Sequence, residues 1–206
     1  MAQGPHTRLT DAARSLLAGL TLWALSGIAF GALPEAGTFL VANRQLQDPN
    51  FAESVVLVIS SDPNGVMGLI VNRPSERLAS ELLPDMQGMD EFGGRLYRGG
   101  PVARYGVIML VRNDSPPPEA LRVTDRIYVS GNQDFLAEVV ASGGSAEDWV
   151  RLFAGHAGWS AGQLENEIGR GDWTVKPATE ETIFSVEPEQ LWRKLAPPRG
   201  TLTVHR

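Results

Sequence analysis

The sequence contains no cysteine, and this absence excludes several kinds of chemistry at once. Without a thiol group the chain can have no cysteine nucleophile, no disulfide bond and no zinc site with cysteine ligands. Histidine is also scarce, since the three histidines, His6, His156 and His205, lie far apart and two are near the termini. We therefore expect no histidine-rich metal site, and we predict neither a metal nor another cofactor.

Basic residues are in the minority, with 18 Lys and Arg against 24 Asp and Glu and a net charge of −6. Nucleic-acid binding depends on a basic face that contacts phosphates, and the sequence shows neither such a face nor a helix-turn-helix pattern. We therefore expect no nucleic-acid partner and disfavour a direct DNA-binding transcriptional regulator. The expected partner is an unknown small ligand or another protein.

Residues 1–36 are predicted to form a hydrophobic leader. Arg8 and Arg14 precede a run, residues 15–34, that has no charged side chain. This order is typical of a secretory signal peptide, and Ala29 and Gly31 are small residues at the positions that a signal peptidase reads. The run is also close to the ~20 residues that span a bilayer, so a membrane anchor is an alternative, as are a buried N-terminal helix and a misassigned start codon. We expect an exported, periplasmic or membrane-tethered protein, with a cytoplasmic protein as the alternative.

The rest of the chain is predicted to be one α+β domain, residues 37–196, followed by a flexible tail, residues 197–206. Apolar and β-branched runs between turn residues predict strands over 37–43, 54–60, 66–71, 96–98, 106–111, 126–130, 149–159, 173–176 and 182–185. Helical spacing and capping residues predict helices over 75–83, 132–142, 160–168 and 188–195, with one turn at 145–148. Residues 85–94 are interpreted as a loop. The strand at 54–60 is expected to be buried on both faces, and the strand at 126–130 on one face.

The most distinctive stretch is residues 155–168, GHAGWSAGQLENEI. Ser160 and Gln163 have the spacing of a capping box, in which the hydroxyl accepts the Gln163 amide and the Gln163 side chain returns to the Ser160 amide. Leu164 and Ile168 are four residues apart and so should face a core together. The stretch is therefore predicted to be a strand end followed by a helix.

Five stretches occur in a fixed order along the chain: GTFLVAN, DPNFAESVVLVI, GVMGLIVNRP, LYRGGPV and FAGHAGWSAGQLENEIGRGDW. Together they span residues 37–173, and in this order they resemble the YqgE/AlgH family of bacterial proteins. The resemblance implies an α+β fold in which a bifurcated mixed β-sheet curls into a pseudo-barrel with flanking helices. It implies no reaction, because the family has no agreed biochemical activity and the label of regulator rests on a genetic association. His156 stands where the family usually has tyrosine.

The first functional hypothesis is a non-enzymatic binding or regulatory domain. Its candidate ligand-binding residues are Asn72, Arg73, Pro74, Gly99, Gly100, Pro101, His156, Trp159, Gln163 and Glu167. Arg73 could offer a guanidinium group to a carboxylate or phosphate, and Gly99-Gly100 could offer backbone amides to an anion. Each segment also has a structural interpretation: a strand terminator, a tight turn, packed aromatic rings or a solvated helix face.

The alternative hypothesis is a hydrolase that uses His156 as a general base. Such a base needs a nucleophile within hydrogen-bond reach, and Ser160 is the nearest in sequence. No nucleophile-elbow pattern surrounds Ser160, and its oxygen suits a helix cap. Glu165 and Glu167 are two residues apart on a helix and would not face a common metal ion. No catalytic residue and no metal ligand is therefore assigned from the sequence.

Overall fold

The structure is a computed structural model that describes residues 33–92, 95–142, 149–185 and 187–198. The strands in those ranges are β1 (Thr38–Ala42), β2 (Val55–Asp62), β3 (Gly65–Ile70), β4 (Pro74–Leu78), β5 (Arg95–Arg98), β6 (Val102–Arg112), β7 (Leu121–Arg122), β8 (Ile127–Ser130), β9 (Val150–Ser160) and β10 (Trp173–Pro177). The helices are α1 (Met89–Phe92), α2 (Gln133–Ala141), α3 (Gln163–Gly169), α4 (Glu180–Ile183) and α5 (Pro188–Leu195). Residues 1–32 of the predicted leader, the predicted turn at 145–148 and tail residues 199–206 lie outside the described residues.

The strands form one mixed sheet that divides at β9. The main path runs β10-β1-β2-β3-β9-β6-β8-β7, and β4 and β5 form a branch. The first half of β9 pairs antiparallel with β6 and parallel with β5, whereas its second half pairs antiparallel with β3. The sheet curls into a half-barrel flanked by a few helices, so the predicted α+β fold with a bifurcated sheet is confirmed.

Two apolar clusters pack against the two faces of the sheet. The larger cluster contains Phe39, Leu57 and Phe153 and is covered in part by α5. Trp192 of α5 donates its indole N–H to the carbonyl of Ala42 at 2.7 Å, which fixes the helix against β1. The smaller cluster lies on the other face, where residues of β5, β6 and β9 meet α2. The buried residues of β1 and β2 all belong to the larger cluster, which therefore covers both faces of these strands and explains why they are almost continuous apolar runs.

Most predicted elements are present near their expected positions. The run at 54–60 forms β2, whose first five residues are buried. The turn after Asp62 returns the chain into β3, where Asp62 Oδ1 accepts the amide of Asn64 at 2.7 Å. Asn132 caps α2 as expected, because its Oδ1 accepts the amide of Phe135 at 2.8 Å. The last helix, α5, occupies the predicted residues.

The predicted helix at 75–83 is wrong. Its first half is β4, which pairs antiparallel with β5, and only Ala79–Glu81 forms a 3₁₀ turn. Ser75 Oγ accepts the amide of Arg77 at 3.1 Å, so the hydroxyl stabilises a local bend and does not begin a helix. Pairing with β5 therefore outweighs the local helix signal.

Three further expectations differ from the structure. Residues predicted to be extended at 182–185 overlap α4, because the Thr179 hydroxyl accepts the amide of Thr182 and caps a helical turn. The predicted loop at 85–94 contains α1, which forms because Met89 and Phe92 bury their side chains in the smaller cluster. The strand predicted to be half-buried at 126–130 is β8, and all of its residues are buried, since Ile127 and Val129 pack in the larger cluster and the Arg122 guanidinium covers the ring of Tyr128 on the other face.

Candidate functional site

The point where the sheet divides brings together three segments that are distant in sequence. The amide of Gly99 donates to the carbonyl of Ala154, and the amide of Ile70 donates to the carbonyl of Gly99, each at 2.9 Å. The end of β3, the end of β5 and the middle of β9 therefore meet at Gly99. We call this junction the fork. Asn72, Arg73 and Pro74 follow β3 and lie beside the end of β5, since the amide of Arg98 donates to the carbonyl of Arg73 at 2.9 Å and Pro74 pairs with Tyr97.

Gly99 and Gly100 are needed at the fork because other backbone passes very close to them. A Cβ atom on Gly99 would lie 2.2 Å from the carbonyl oxygen of Gly155, and one on Gly100 would lie 2.1 Å from the carbonyl carbon of His156. Gly155 itself has a φ of 72°, a left-handed conformation that glycine adopts at low cost. The amide of Gly99 already donates to the carbonyl of Ala154 and is not available to an anion. Gly99 and Gly100 therefore serve to let neighbouring backbone segments pack closely.

Asn72 and Arg73 hold the loop that precedes β2. Asn72 is buried, and its side chain accepts the amide of Val55 at 2.7 Å and donates to the carbonyl of Glu53 at 3.0 Å. Arg73 donates to the carbonyl of Asn50 at 2.6 Å and to that of Ala52 at 2.5 Å. The two side chains thus bind three of the four carbonyls of residues 50–53. The guanidinium predicted to receive a ligand is already bonded to main-chain carbonyls at both terminal nitrogens.

Arg73 also experiences an unfavourable electrostatic environment. Burial, together with the positive charge of Arg98, lowers the pKa of the Arg73 guanidinium below its usual value. The carboxylates of Asp48 and Glu53 act in the opposite direction. Because a guanidinium group stays protonated at any physiological pH, the consequence is a crowded positive charge at the fork and not a neutral arginine.

The loop held by Arg73 carries Phe51 into a cluster of aromatic rings. The ring of Phe51 stacks on Trp159 with centroids 5.5 Å apart and meets Trp173 edge-on at 5.5 Å. Trp159 and Trp173 also meet edge-on at 5.8 Å. Both tryptophans are buried. Such geometries are the favoured ones for aromatic pairs, so this cluster is a packed core feature that joins the 50–53 loop to β9 and β10.

Glu167 is the polar centre of this aromatic cluster. Its Oε2 accepts the indole N–H of Trp159 at 2.9 Å and that of Trp173 at 2.8 Å. Its Oε1 accepts the side-chain amide of Gln163 at 3.0 Å. One carboxylate therefore satisfies two buried indole donors and the facing glutamine. Gln163 and Glu167 share a helix face, as predicted, and that face is turned toward the tryptophans.

The predicted capping box at Ser160 and Gln163 forms only in part. Gln163 Oε1 accepts both the amide of Ser160 at 3.2 Å and the Ser160 hydroxyl at 3.3 Å. Ser160 is still in β9, and α3 begins after Gly162, whose φ of 78° turns the chain. The hydroxyl therefore donates to Gln163 and does not accept its amide. Leu164 is buried and Ile168 packs beside it on the larger cluster, as expected.

His156 lies on the opposite face of β9 from Trp159. It is half-buried, and its register partner on β6 is Val102. Ser160 is four residues further along the same strand, which places it about 13 Å away at the usual rise of a β-strand. This separation excludes a direct hydrogen bond between His156 and Ser160, and with it the nucleophile that is nearest in sequence.

A protruding loop beside His156 was not predicted from the sequence. Val102 pairs with His156 and Val107 with Ala154, so residues 103–106 of β6 stand opposite a single residue, Gly155. This is a large β-bulge, and Tyr105 at its tip is 92% exposed. Ala103 has a φ of 50°, a strained conformation for a residue that is not glycine. The sequence offers one weak signal, Gly106, which the prediction used as the start of the strand.

Apart from Pro74, which begins β4 and pairs with Tyr97, the predicted site residues divide into two sets. The first set is connected through the 50–53 loop, and its polar groups form hydrogen bonds with one another or with the main chain. Its members are Asn72, Arg73, Trp159, Gln163 and Glu167. His156 faces the other side of β9, beside Gly99, Gly100 and Pro101. Within the described ranges, no three acidic or histidine side chains are grouped so that they could hold a metal ion.

The described residues contain no helix long and apolar enough to cross a membrane.

The sequence comparisons identify the family. The family model described as AlgH-like matches residues 39–201 of the chain. The chain belongs to the AlgH-like family. A relative named UPF0301 protein from Thermobifida fusca is 37% identical over 174 residues, which cover 80% of this chain and 86% of the relative. Another UPF0301 protein, from Xanthomonas campestris pv. campestris, is 35% identical over 168 residues, or 79% and 88% of the two chains.

Solved structures give the same family fold. The solution structure of the AlgH protein from Pseudomonas aeruginosa has a TM-score of 0.67 and 28% identity, and the match covers 80% of this chain and 88% of that one. A crystal structure of a protein from Corynebacterium diphtheriae has a TM-score of 0.65 and 25% identity, with coverage of 79% and 85%. The resemblance to the YqgE/AlgH family that the sequence motifs indicated is confirmed. The AlgH-like chain thus has a known architecture, and these relatives bring no specific reaction with them.

Proposed function

We propose that this AlgH-like chain is a non-enzymatic binding or regulatory domain that recognises its partner with the outer face of the fork. We call this area the fork surface, and its residues are Met67, Arg98, Val102, Arg104, Tyr105 and His156. The observation that carries the proposal is Tyr105, which is 92% exposed at the tip of a strained bulge. Together with the exposed side chains of Met67 and Val102, a large aromatic side chain on a protruding loop forms the kind of patch that is typical of a binding surface.

Strand register supports the grouping of these residues. Met67 pairs with Gly158, Val102 with His156, and Arg98 with Ala154. Residues paired across neighbouring strands share a face, and residues 154, 156 and 158 of β9 alternate onto the same side. Met67 and Val102 are 38% and 43% exposed, so the face is partly apolar as well as polar.

The bulge itself supports a role outside folding. Bulges are over-represented next to functional sites, where they redirect a side chain, and backbone strain persists only where surrounding structure maintains it. At this position Gly155 accepts the close approach of residues 102–104, since a Cβ there would lie 2.6 Å from the carbonyl oxygen of Val102. The chain thus maintains a strained, exposed loop by placing glycine beneath it.

Site-specific photo-crosslinking tests the proposal. A benzoylphenylalanine residue at position 105, in protein expressed in cells of its own species, is expected to give one dominant adduct. The control carries the same residue at Leu121, which is 48% exposed in β7 at the far edge of the sheet. Discrete adducts from position 105 alone are the expected result. No adduct at 105, or the same adducts from both positions, would remove the basis of the proposal.

The hydrolase alternative has a separate test in His156→Phe. The substitution keeps an aromatic ring on β9 and removes the only imidazole among the described residues. Because His156 belongs to the fork surface, the binding role predicts a normal melting temperature and any loss of complementation of a deletion strain together with loss of the position-105 adduct. A folded variant that fails to complement, and that still gives the position-105 adduct, would favour catalysis by His156 over the binding role.

We also propose that the domain is exported or membrane-tethered. The support is the basic start and uncharged apolar run of residues 1–36. A partner would then be found in the periplasm or at the membrane, and the alternative compartment is the cytoplasm.

A further inference from the structure

Two exposed arginines of the fork surface have no acidic partner. Within the described ranges, neither Arg98 nor Arg104 makes an ion pair or a side-chain hydrogen bond. Four other exposed arginines do, with side-chain distances of 2.6 to 3.6 Å, in the pairs Arg77–Glu81, Arg95–Glu189, Arg126–Asp114 and Arg170–Asp172. Acidic residues outnumber basic ones in this chain, which has a net charge of −6, yet these two neighbouring arginines have no acidic side chain beside them among the described residues.

The two arginines stand on opposite sides of β9. Arg98 ends β5 and pairs with Ala154, and the Cα of Arg104 lies 3.3 Å from the position of a Cβ on Gly155. Since β5 and β6 flank β9, the two backbones are about two strand spacings, or roughly 10 Å, apart. Arg73 adds a third positive charge close to Arg98, although its own guanidinium is bonded to carbonyls. Tyr105 follows Arg104 directly at the tip of the loop.

We propose that the fork surface binds an acidic segment of a partner protein, with carboxylates meeting Arg98 and Arg104 while Tyr105 and Val102 contact apolar side chains between them. This inference rests on the proposed binding function and names the chemistry of the partner. Charge complementarity selects an anionic partner. Tyr and Arg are the residue types that dominate protein interfaces, and a protruding loop is the opposite of the concave site that a small molecule needs.

The test uses a fluorescein-labelled peptide of alternating glutamate and leucine as the probe, with fluorescence anisotropy as the measurement. The double variant Arg98→Gln/Arg104→Gln removes both unpaired charges. The control, Arg193→Gln/Lys194→Gln, changes net charge by the same amount on the exposed side of α5, where Lys194 pairs with Glu187 at 2.9 Å. Because exposed ion pairs contribute little individually, the fork variant is expected to bind roughly three- to thirtyfold more weakly than wild type, and the control less than twofold.

Each other outcome overturns the inference. Absence of binding by the wild type, or equal weakening in both double variants, would show that the fork surface has no preference for acidic peptide. Saturable displacement of the peptide by inorganic phosphate, beyond the effect of sodium chloride at equal ionic strength, would assign the arginines to a small phosphate ligand. Adducts from position 105 that persist in Arg98→Gln/Arg104→Gln would leave the binding proposal standing and remove the acidic partner.

Discussion

Trp173 donates its indole N–H to Glu167 at 2.8 Å, and this bond joins α3 to the edge strand β10. The same carboxylate oxygen accepts the indole of Trp159 from β9 at 2.9 Å. One side chain therefore connects a helix to two strands through charge-assisted hydrogen bonds, which are stronger than neutral ones. Glu167 was a candidate ligand-binding residue, and these contacts give it a role in holding the fold together.

Glu167→Ala is expected to destabilise the domain by about 2 to 6 kcal/mol, because two buried indole donors lose their acceptor at about 1 to 3 kcal/mol each. Urea unfolding followed by tryptophan fluorescence measures the loss. The control is Glu138→Ala on the exposed side of α2, which is expected to change stability by less than about 0.5 kcal/mol. If both variants were equally stable, the indole–carboxylate bonds would not contribute to the fold.

Arg73→Ala is expected to lower stability by about 1 to 3 kcal/mol, because the carbonyls of Asn50 and Ala52 lose a charged donor. The near-UV circular dichroism should also change, since Phe51 between those carbonyls packs on Trp159 and Trp173. An exposed control, Arg77→Ala, breaks one surface ion pair and should cost less than about 1 kcal/mol. An unchanged near-UV spectrum in Arg73→Ala would mean that Arg73 does not position the loop.

Gly155→Ala is expected to cost about 2 kcal/mol or more. A left-handed conformation alone costs a residue with a side chain about 1 to 2 kcal/mol, and the new Cβ would lie 2.6 Å from the carbonyl oxygen of Val102. Gly169→Ala is the matched control, since nothing lies within 4 Å of its Cβ position and alanine favours the end of α3. Thermal unfolding of both variants gives the comparison. Equal melting temperatures would contradict the close packing described at the fork.

The predicted leader, residues 1–36, determines where the mature protein should begin and in which compartment it should be found. If residues 1–36 contain a signal peptide, intact mass of the native protein should show a chain that begins near Ala32, and fractionation should find it in the periplasm. A full-length chain in the membrane fraction would indicate an anchor. A cytosolic chain beginning between Leu33 and Gly37 would contradict export and indicate a misassigned start codon.

Local signals predicted the parts of the fold that depend on local physics. The apolar runs of β1, β2 and β3, the turn after Asp62 and the Asn132 cap could all be assigned because sequence neighbours create them. The bulge at 103–106 could not, since its length is set by pairing with a distant strand, β9. The helix expected at 75–83 failed for the same reason, because β5 supplies the pairing that makes β4 a strand.

The same distinction between local and distant contacts explains why only part of the candidate site could be predicted from the sequence. Gln163 and Glu167 could be placed on one helix face from their spacing, but the indoles that meet Glu167 come from β9 and β10. The acceptors of Arg73 are main-chain carbonyls, and because every residue has one, the sequence does not show which of them Arg73 contacts. Tyr105 was missed because exposure on a bulge cannot be distinguished from the polar start of a strand.

Recognition of a partner through Tyr105 can be tested by a crosslinker placed elsewhere on the fork surface, with and without the tyrosine side chain. Benzoylphenylalanine at Val102, alone and together with Tyr105→Ala, is compared for adduct yield in cells and for melting temperature after purification. Because Tyr105 is 92% exposed, its truncation should leave the melting temperature within about a degree. We expect an adduct from position 102 that is strongly reduced in Tyr105→Ala. An adduct of equal yield in both proteins, with equal melting temperatures, would contradict the claim that the fork surface recognises its partner through Tyr105.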